Sequence, residues 1–191
     1  MPISTIGQNG LNAPLSLTLP VVATTMGVGG ATPSGSGSGI TFPATQSASS
    51  DANTLDDYEE GTWTPQAGSE IGAFTQTGTF TGKYVKIGNR VWASFDCSLA
   101  SRTSTGSQAY LYGLPFAVAN NGDLSGGAGS VGITFNIGSN FYQIGMYPQN
   151  NSSYCFITGT TSNTTGLAAM ASAFWGATTR LVGGIWYNTT S

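Results

Sequence analysis

Val91, Ala93, Phe95, Cys97 and Leu99 alternate with Trp92, Ser94, Asp96 and Ser98. A period of two sends the first set to one face of a β-strand and the second set to the other. Just upstream, Gly88-Asn89 separates this run from Tyr84-Val85-Lys86-Ile87. A two-residue turn of that kind between two strand patterns predicts an antiparallel hairpin. One face of that hairpin is apolar and must be buried, so the remaining chain has to supply a second layer.

The rest of residues 63–191 reads the same way. Further strands are expected near 74–80, 107–112, 130–137, 141–147, 153–158 and 180–187. Turn signals separate them at Gly113-Leu114-Pro115, Asn120-Asn121-Gly122, Gly126-Gly127, Pro148-Gln149-Asn150-Asn151 and Gly159. About eight short strands so spaced predict an all-β fold, an antiparallel β-sandwich or jelly roll. Residues 166–175 fit either a short helix or an apolar loop.

Upstream of this region the composition changes. Phe42 is the single aromatic residue before Tyr58, so residues 1–50 lack the side chains that build an independent core. Leu15, Leu17, Leu19 and Val21 alternate with Ser16, Thr18 and Pro20, a strand pattern. A Gly/Ser tract follows over 27–39 and on its own would read as a flexible linker; Ile40-Thr41-Phe42-Pro43 is extended again. One strand and such a tract bury too little to offset their own ordering. Residues 1–50 are therefore expected to be an extended arm packed on other chains, with Leu15, Leu17, Leu19, Val21 and Phe42 as assembly contacts. Three symmetric copies of the leucine strand would bury one another, which predicts a homotrimer. Residues 51–62 hold five of the eight acidic residues and are expected to form an acidic connecting turn, with one short helical or 3₁₀ turn near 54–60.

Charge excludes several functions. The chain has no histidine, and its five basic and eight acidic residues leave only 13 of 191 positions charged. An average soluble domain is about a quarter charged. Histidine-dependent catalysis is excluded, two separated cysteines make no zinc site, and no phosphate-binding loop is present. The five basic residues form no run, so nucleic-acid binding is not expected. No segment reads as a membrane span or an export signal. The expected protein is not an enzyme and uses no cofactor and no metal. The cluster Asp51, Asn53, Asp56 and Asp57 reads as a solvated turn, since it lacks the glycine and glutamate of a calcium loop. Cys97 and Cys155 fit either two small buried side chains or one disulfide.

Specific sequence patches add a resemblance. Residues 39–65, with the run Asp56-Asp57-Tyr58-Glu59-Glu60-Gly61-Thr62-Trp63 as their specific part, resemble a junction found in bacteriophage fibre-type virion proteins. Gly82 to Val91 resembles the hairpin that follows in that family, Gly113-Leu114-Pro115-Phe116 a later turn, and Arg180 to Tyr187 its closing strand. The resemblance implies a trimeric β-sandwich head on a phage particle, attached to tail or capsid proteins through residues 1–50. It departs from longer relatives in having only a short arm.

Two functions fit these expectations. One is a fibre exposed on the virion that binds host surface polysaccharide through loops rich in aromatic and amide side chains. The candidate loop residues are Asn120, Asn121, Asp123, Tyr147, Asn150, Asn151 and Tyr154. The other is a capsid decoration protein with no receptor role.

Overall fold

The structure, a computed structural model, describes residues 25–46, 49–51, 53–103, 106–120, 122, 126–138, 141, 143–160, 168–169 and 171–190. The chain divides after Ala44 into two compact units. In the first, β1 (Thr25–Gly27) and β2 (Gly39–Thr41) pair in parallel. The Gly/Ser tract is the loop that carries the chain between them. Gly29, Gly30 and Gly37 hold φ values of 59°, 81° and 74° in that loop, which glycine adopts without steric cost. Thr41 Oγ1 donates to Thr25 Oγ1 (2.9 Å), and Thr25 Oγ1 donates to the Ser34 carbonyl (3.0 Å). Phe42 follows β2 and is half-buried. The strand expected over Leu15, Leu17, Leu19 and Val21 lies outside the described residues.

The second unit contains β3 (Tyr58–Trp63), β4 (Gln66–Ser69), β5 (Gly72–Ala73), β6 (Thr75–Ile87), β7 (Arg90–Thr103), β8 (Tyr110–Tyr112), β9 (Gly127–Phe135), β10 (Gln143–Pro148), β11 (Tyr154–Thr160), β12 (Ala168–Ala169) and β13 (Arg180–Asn188). They hydrogen-bond as one sheet in the order β3-β6-β7-β13-β9-β10-β11-β8-β4-β5, with β12 added to β11. Each pairing is antiparallel. The end strands β3 and β5 do not pair with each other, so the sheet is not a closed barrel.

The predicted hairpin is the spine of this sheet. Pairs run from Ile87↔Arg90 to Thr75↔Thr103, with one bulge between Thr77 and Gly78. Strands expected separately at 74–80 and 84–87 are one strand of 13 residues. Gly82 does not break it. The glycine is needed for clearance, since a Cβ there would run into the Trp63 indole.

Cys97 on β7 and Ala67 on β4 lie far apart along the strand order, yet the Cys97 thiol meets the Ala67 backbone. The sheet is therefore folded over, and its halves form the two layers of the expected sandwich. Between them lie Val91, Ala93, Phe95, Cys97 and Leu99 of β7, Leu181, Ile185 and Tyr187 of β13, and Leu111, Cys155 and Ile157 of the facing half. Full burial of each large aliphatic or aromatic side chain contributes about 1.5–3 kcal/mol. Trp175 is fully buried, and its Nε1 donates to the Tyr110 carbonyl (3.2 Å).

The acidic segment corrects the expected helical turn. Residues 54–57 carry no helix, and Tyr58–Trp63 is strand β3, paired with β6 from Tyr58↔Ile87 to Trp63↔Gly82. Pairing with a long neighbouring strand outweighs the local helix-start signals. Upstream, Asp51 Oδ1 accepts from Asn53 N (2.9 Å), which turns the chain without a helix. Residues 166–175 resolve into the two-residue β12 and a single 3₁₀ turn at Ser172–Phe174.

Cys97 and Cys155 are both free and buried, so the disulfide alternative is set aside. Burial pushes both thiols up to about 12. In native protein at mildly alkaline pH, a thiol reagent should label neither; in denaturant it should label both. Labelling of either before unfolding would contradict this core.

Candidate functional site

Two of the expected ligand loops come together. Val118 N donates to the Ser152 carbonyl (2.8 Å), and Asn151 N donates to the Val118 carbonyl (3.0 Å). These bonds join the segment before Asn120 to the turn between β10 and β11. Asn120 is exposed, and its Oδ1 accepts from Gly122 N (3.2 Å). Asn150 is half-buried, and Asn151 is exposed with φ of 55°. Asn121 and Asp123 lie outside the described residues. The Gly88-Asn89 hairpin belongs to the same end, because Thr189 N donates to the Asn89 carbonyl (2.8 Å) and Thr189 bridges to Val118. Gly88 N donates to the Asp57 carbonyl (3.1 Å). The loops thus sit at the end of the sheet where β3 begins.

Tyr147 and Tyr154 are strand residues, not loop residues. Tyr154 stacks on Tyr110 with centroids 4.9 Å apart and 4° between planes. Tyr147 stacks on Phe156 at 4.7 Å, and Tyr110 meets Phe156 edge-on at 4.5 Å. These rings give their faces to one another, which stabilises the outer side of β8, β10 and β11. Burial raises the Tyr110 and Tyr147 hydroxyls and pushes Tyr112 up to about 12. Tyr112 donates to the Ser69 carbonyl (2.8 Å) and lies over Gly68, where a Cβ would come within 2.6 Å of its ring.

The other half of the sheet exposes a different surface. Trp92 on β7 and Trp186 on β13 are Cα partners and are 48 % and 37 % exposed. Val85 and Ala128 extend this row across β6 and β9. The adjacent row is polar and small: Lys83, Ser94, Gly184 and Ser130. Gly184 carries no side chain, so the floor dips between the two serines. The resulting open groove has a volume of about 570 Å³. The Arg90 guanidinium covers one face of Trp186, 4.5 Å from the ring centroid. Ile133 and Phe135 extend the same outer face and are 46 % and 56 % exposed. Trp92 and Trp186 were not among the candidate residues read from the sequence. The signal was present, since Trp92 falls on the polar side of the β7 alternation.

The carboxylates among the described residues are engaged structurally. Asp51 accepts from Asn53 N, Asp56 from Ser49 N, Glu60 from the Tyr58 hydroxyl and Glu59 from Tyr84. Asp57 pairs with Lys86, and Asp96 accepts from Arg180 through both oxygens (3.0 and 2.6 Å). Glu70 accepts from Ser107 N, Ser107 Oγ and Gln108 N. Among the described residues, no group of three or more His, Cys, Asp or Glu side chains is placed to hold a metal ion. No described helix is long and apolar enough to cross a membrane.

No family model and no curated protein matches the chain. Its fold is similar to part of the crystal structure of Dettilon tailspike protein (gp208), with a TM-score of 0.55 and 14 % sequence identity. The likeness covers 69 % of this chain and 24 % of that one, so the chain spans about a quarter of that protein's length. At this identity the likeness is one of fold.

The Glu70 contacts yield a pH prediction. Two backbone N–H groups and the Ser107 hydroxyl hold its carboxyl down from 4.5 to about 2. A lowered folded-state value gives stability that is complete above the ordinary carboxyl range and is lost as pH falls toward the folded value. Wild type should therefore melt above Glu70→Gln near neutral pH, and the gap should close on acidification toward pH 2. Melting curves of both proteins test this; a gap independent of pH would contradict it.

Proposed function

We propose that the chain is a bacteriophage virion attachment protein. In this reading it is a short homotrimeric fibre, joined to tail or capsid proteins through residues 1–50 and exposed on the particle surface. Its outer sheet face lies on host surface polysaccharide. The observation that carries the reading is the exposed Trp92–Trp186 pair beside the Ser94, Gly184 and Ser130 floor. The apolar faces of sugar rings stack on indoles, while serine hydroxyls and an ammonium pair with sugar hydroxyls. The tailspike-like fold supports the reading at the level of architecture. Tyr147 and Tyr154 are poorer candidates than the sequence implies, because both lie in strands and each already has one ring face stacked on a neighbour. No catalytic step forms part of the proposal.

The capsid decoration reading is favoured by Ile133 and Phe135, which a protein neighbour covers better than a sugar does. A glycan array of bacterial surface polysaccharides separates the two. Under the attachment reading the wild-type chain binds as a trimer by light scattering. Trp92→Ala and Trp186→Ala each weaken binding about tenfold, equal to ~1.4 kcal/mol, with the circular dichroism unchanged. Failure of the wild-type chain to bind any glycan, or equal binding by both variants, would overturn it.

A further inference from the structure

One charged pair in the second unit is sealed from solvent. Lys86 on β6 and Asp57, immediately before β3, form an ion pair whose side chains are 4 % and 7 % exposed. Phe116 lies over the ammonium, 5.5 Å from Nζ to the ring centroid. The Asp57 carbonyl is fixed by Gly88 N, so both side chains approach from anchored backbones. Glu59 stands opposite Lys86 in the β3–β6 register and accepts from the Tyr84 hydroxyl. Burying two charges costs about as much as their attraction returns, and an apolar pair of the same volume would stabilise the sheet as well. A nucleophile and an acyl group held together away from water are, in contrast, the two halves of an amide.

We propose that Lys86 Nζ and Asp57 Cγ join in an intramolecular isopeptide bond. Within the pair, the ammonium passes one proton to the carboxylate and leaves a neutral amine beside a neutral acid. The amine lone pair attacks Cγ to form the C–N bond. The Asp57 hydroxyl then leaves with a second nitrogen proton as water, breaking the C–O bond. The sum is one ammonium and one carboxylate giving one amide and one water, with no change of oxidation state and no further reactant. The closed surroundings that bring the groups together also keep water from reversing the step.

The bond falls where it has a mechanical use. β3 is an end strand of the sheet and is the first strand after Asp57. A pull on the preceding chain reaches β3 first, and a strand paired on one side only is released one hydrogen bond after another. A covalent link from Asp57 to β6 passes that load to the long hairpin. This inference does not depend on the polysaccharide reading.

Mass spectrometry of the full chain tests it. The wild-type protein should be lighter than its sequence by one water. Trypsin should cut after Lys83 and Arg90 but not after Lys86, leaving residues 84–90 attached to residues 1–83 as one branched species. Lys86→Met and Asp57→Ala should each show the full sequence mass. Because the wild-type result stands alone, the test survives misfolding of either variant. A wild-type chain of full mass that trypsin cuts after Lys86 would overturn the proposal.

Discussion

β7 decides both faces of the protein. Its odd-numbered side chains from Val91 to Leu99 are buried in the core, while Trp92, Ser94, Asp96 and Ser98 point outward. It pairs with β6 from Arg90 to Thr103 and with β13 from Arg90 to Ser98. A slip of one residue would turn Phe95 and Cys97 to solvent and bury Asp96. The registers of β13 and β9 follow from this one, and with them the pairing of Trp186 with Trp92 and of Gly184 with Ser94 and Ser130. The inner core and the outer groove are thus two consequences of a single register.

Few charges are available, and the fold uses them for fastening. Arg180 and Asp96 clamp β13 to β7 on the outer face, and Glu70 ties the β4–β5 turn to Ser107 and Gln108. Lys86 and Asp57 fasten the start of the sheet. The exposed contacts, Arg180–Asp96 and those of Glu70, contribute little to stability individually. Their larger effect is geometric: Arg180 and Asp96 reinforce the β13–β7 ladder from outside, and Glu70 ties its turn to residues that precede β8.

The β6–β7 hairpin was legible in the sequence because its signals are local: a two-residue turn and strict alternation. The strands near 130–137, 141–147, 153–158 and 180–187 were legible from the turn signals that separate them. The strand at Tyr58–Trp63 was not. Its acidic residues imitate a helix start, and only the pairing with β6 makes the segment a strand. Nor does any local pattern tell whether two layers are separate sheets or one sheet folded over; the Cys97–Ala67 contact is a long-range fact. Among the candidate site residues, the sequence located the loops at Asn120 and Asn150–Asn151 that the structure brings together. It assigned Tyr147 and Tyr154 to those loops, whereas both lie in strands and stack on neighbours. It placed Trp92 on the outer face without marking it as a site, since a single exposed tryptophan gains significance only beside its cross-strand partner.

The central claim is that the outer face of β7 and β13 is the surface that meets the host. The four tryptophans make this directly measurable. Trp63 and Trp175 are buried, and their indole N–H groups donate to the Ser94 and Tyr110 carbonyls, whereas Trp92 and Trp186 are exposed. Indole N–H resonances should be followed while the strongest binder from a bacterial glycan array is titrated. The account predicts that the signals of Trp92 and Trp186 move with ligand while those of Trp63 and Trp175 stay in place. Saturable binding that leaves Trp92 and Trp186 unmoved would contradict it.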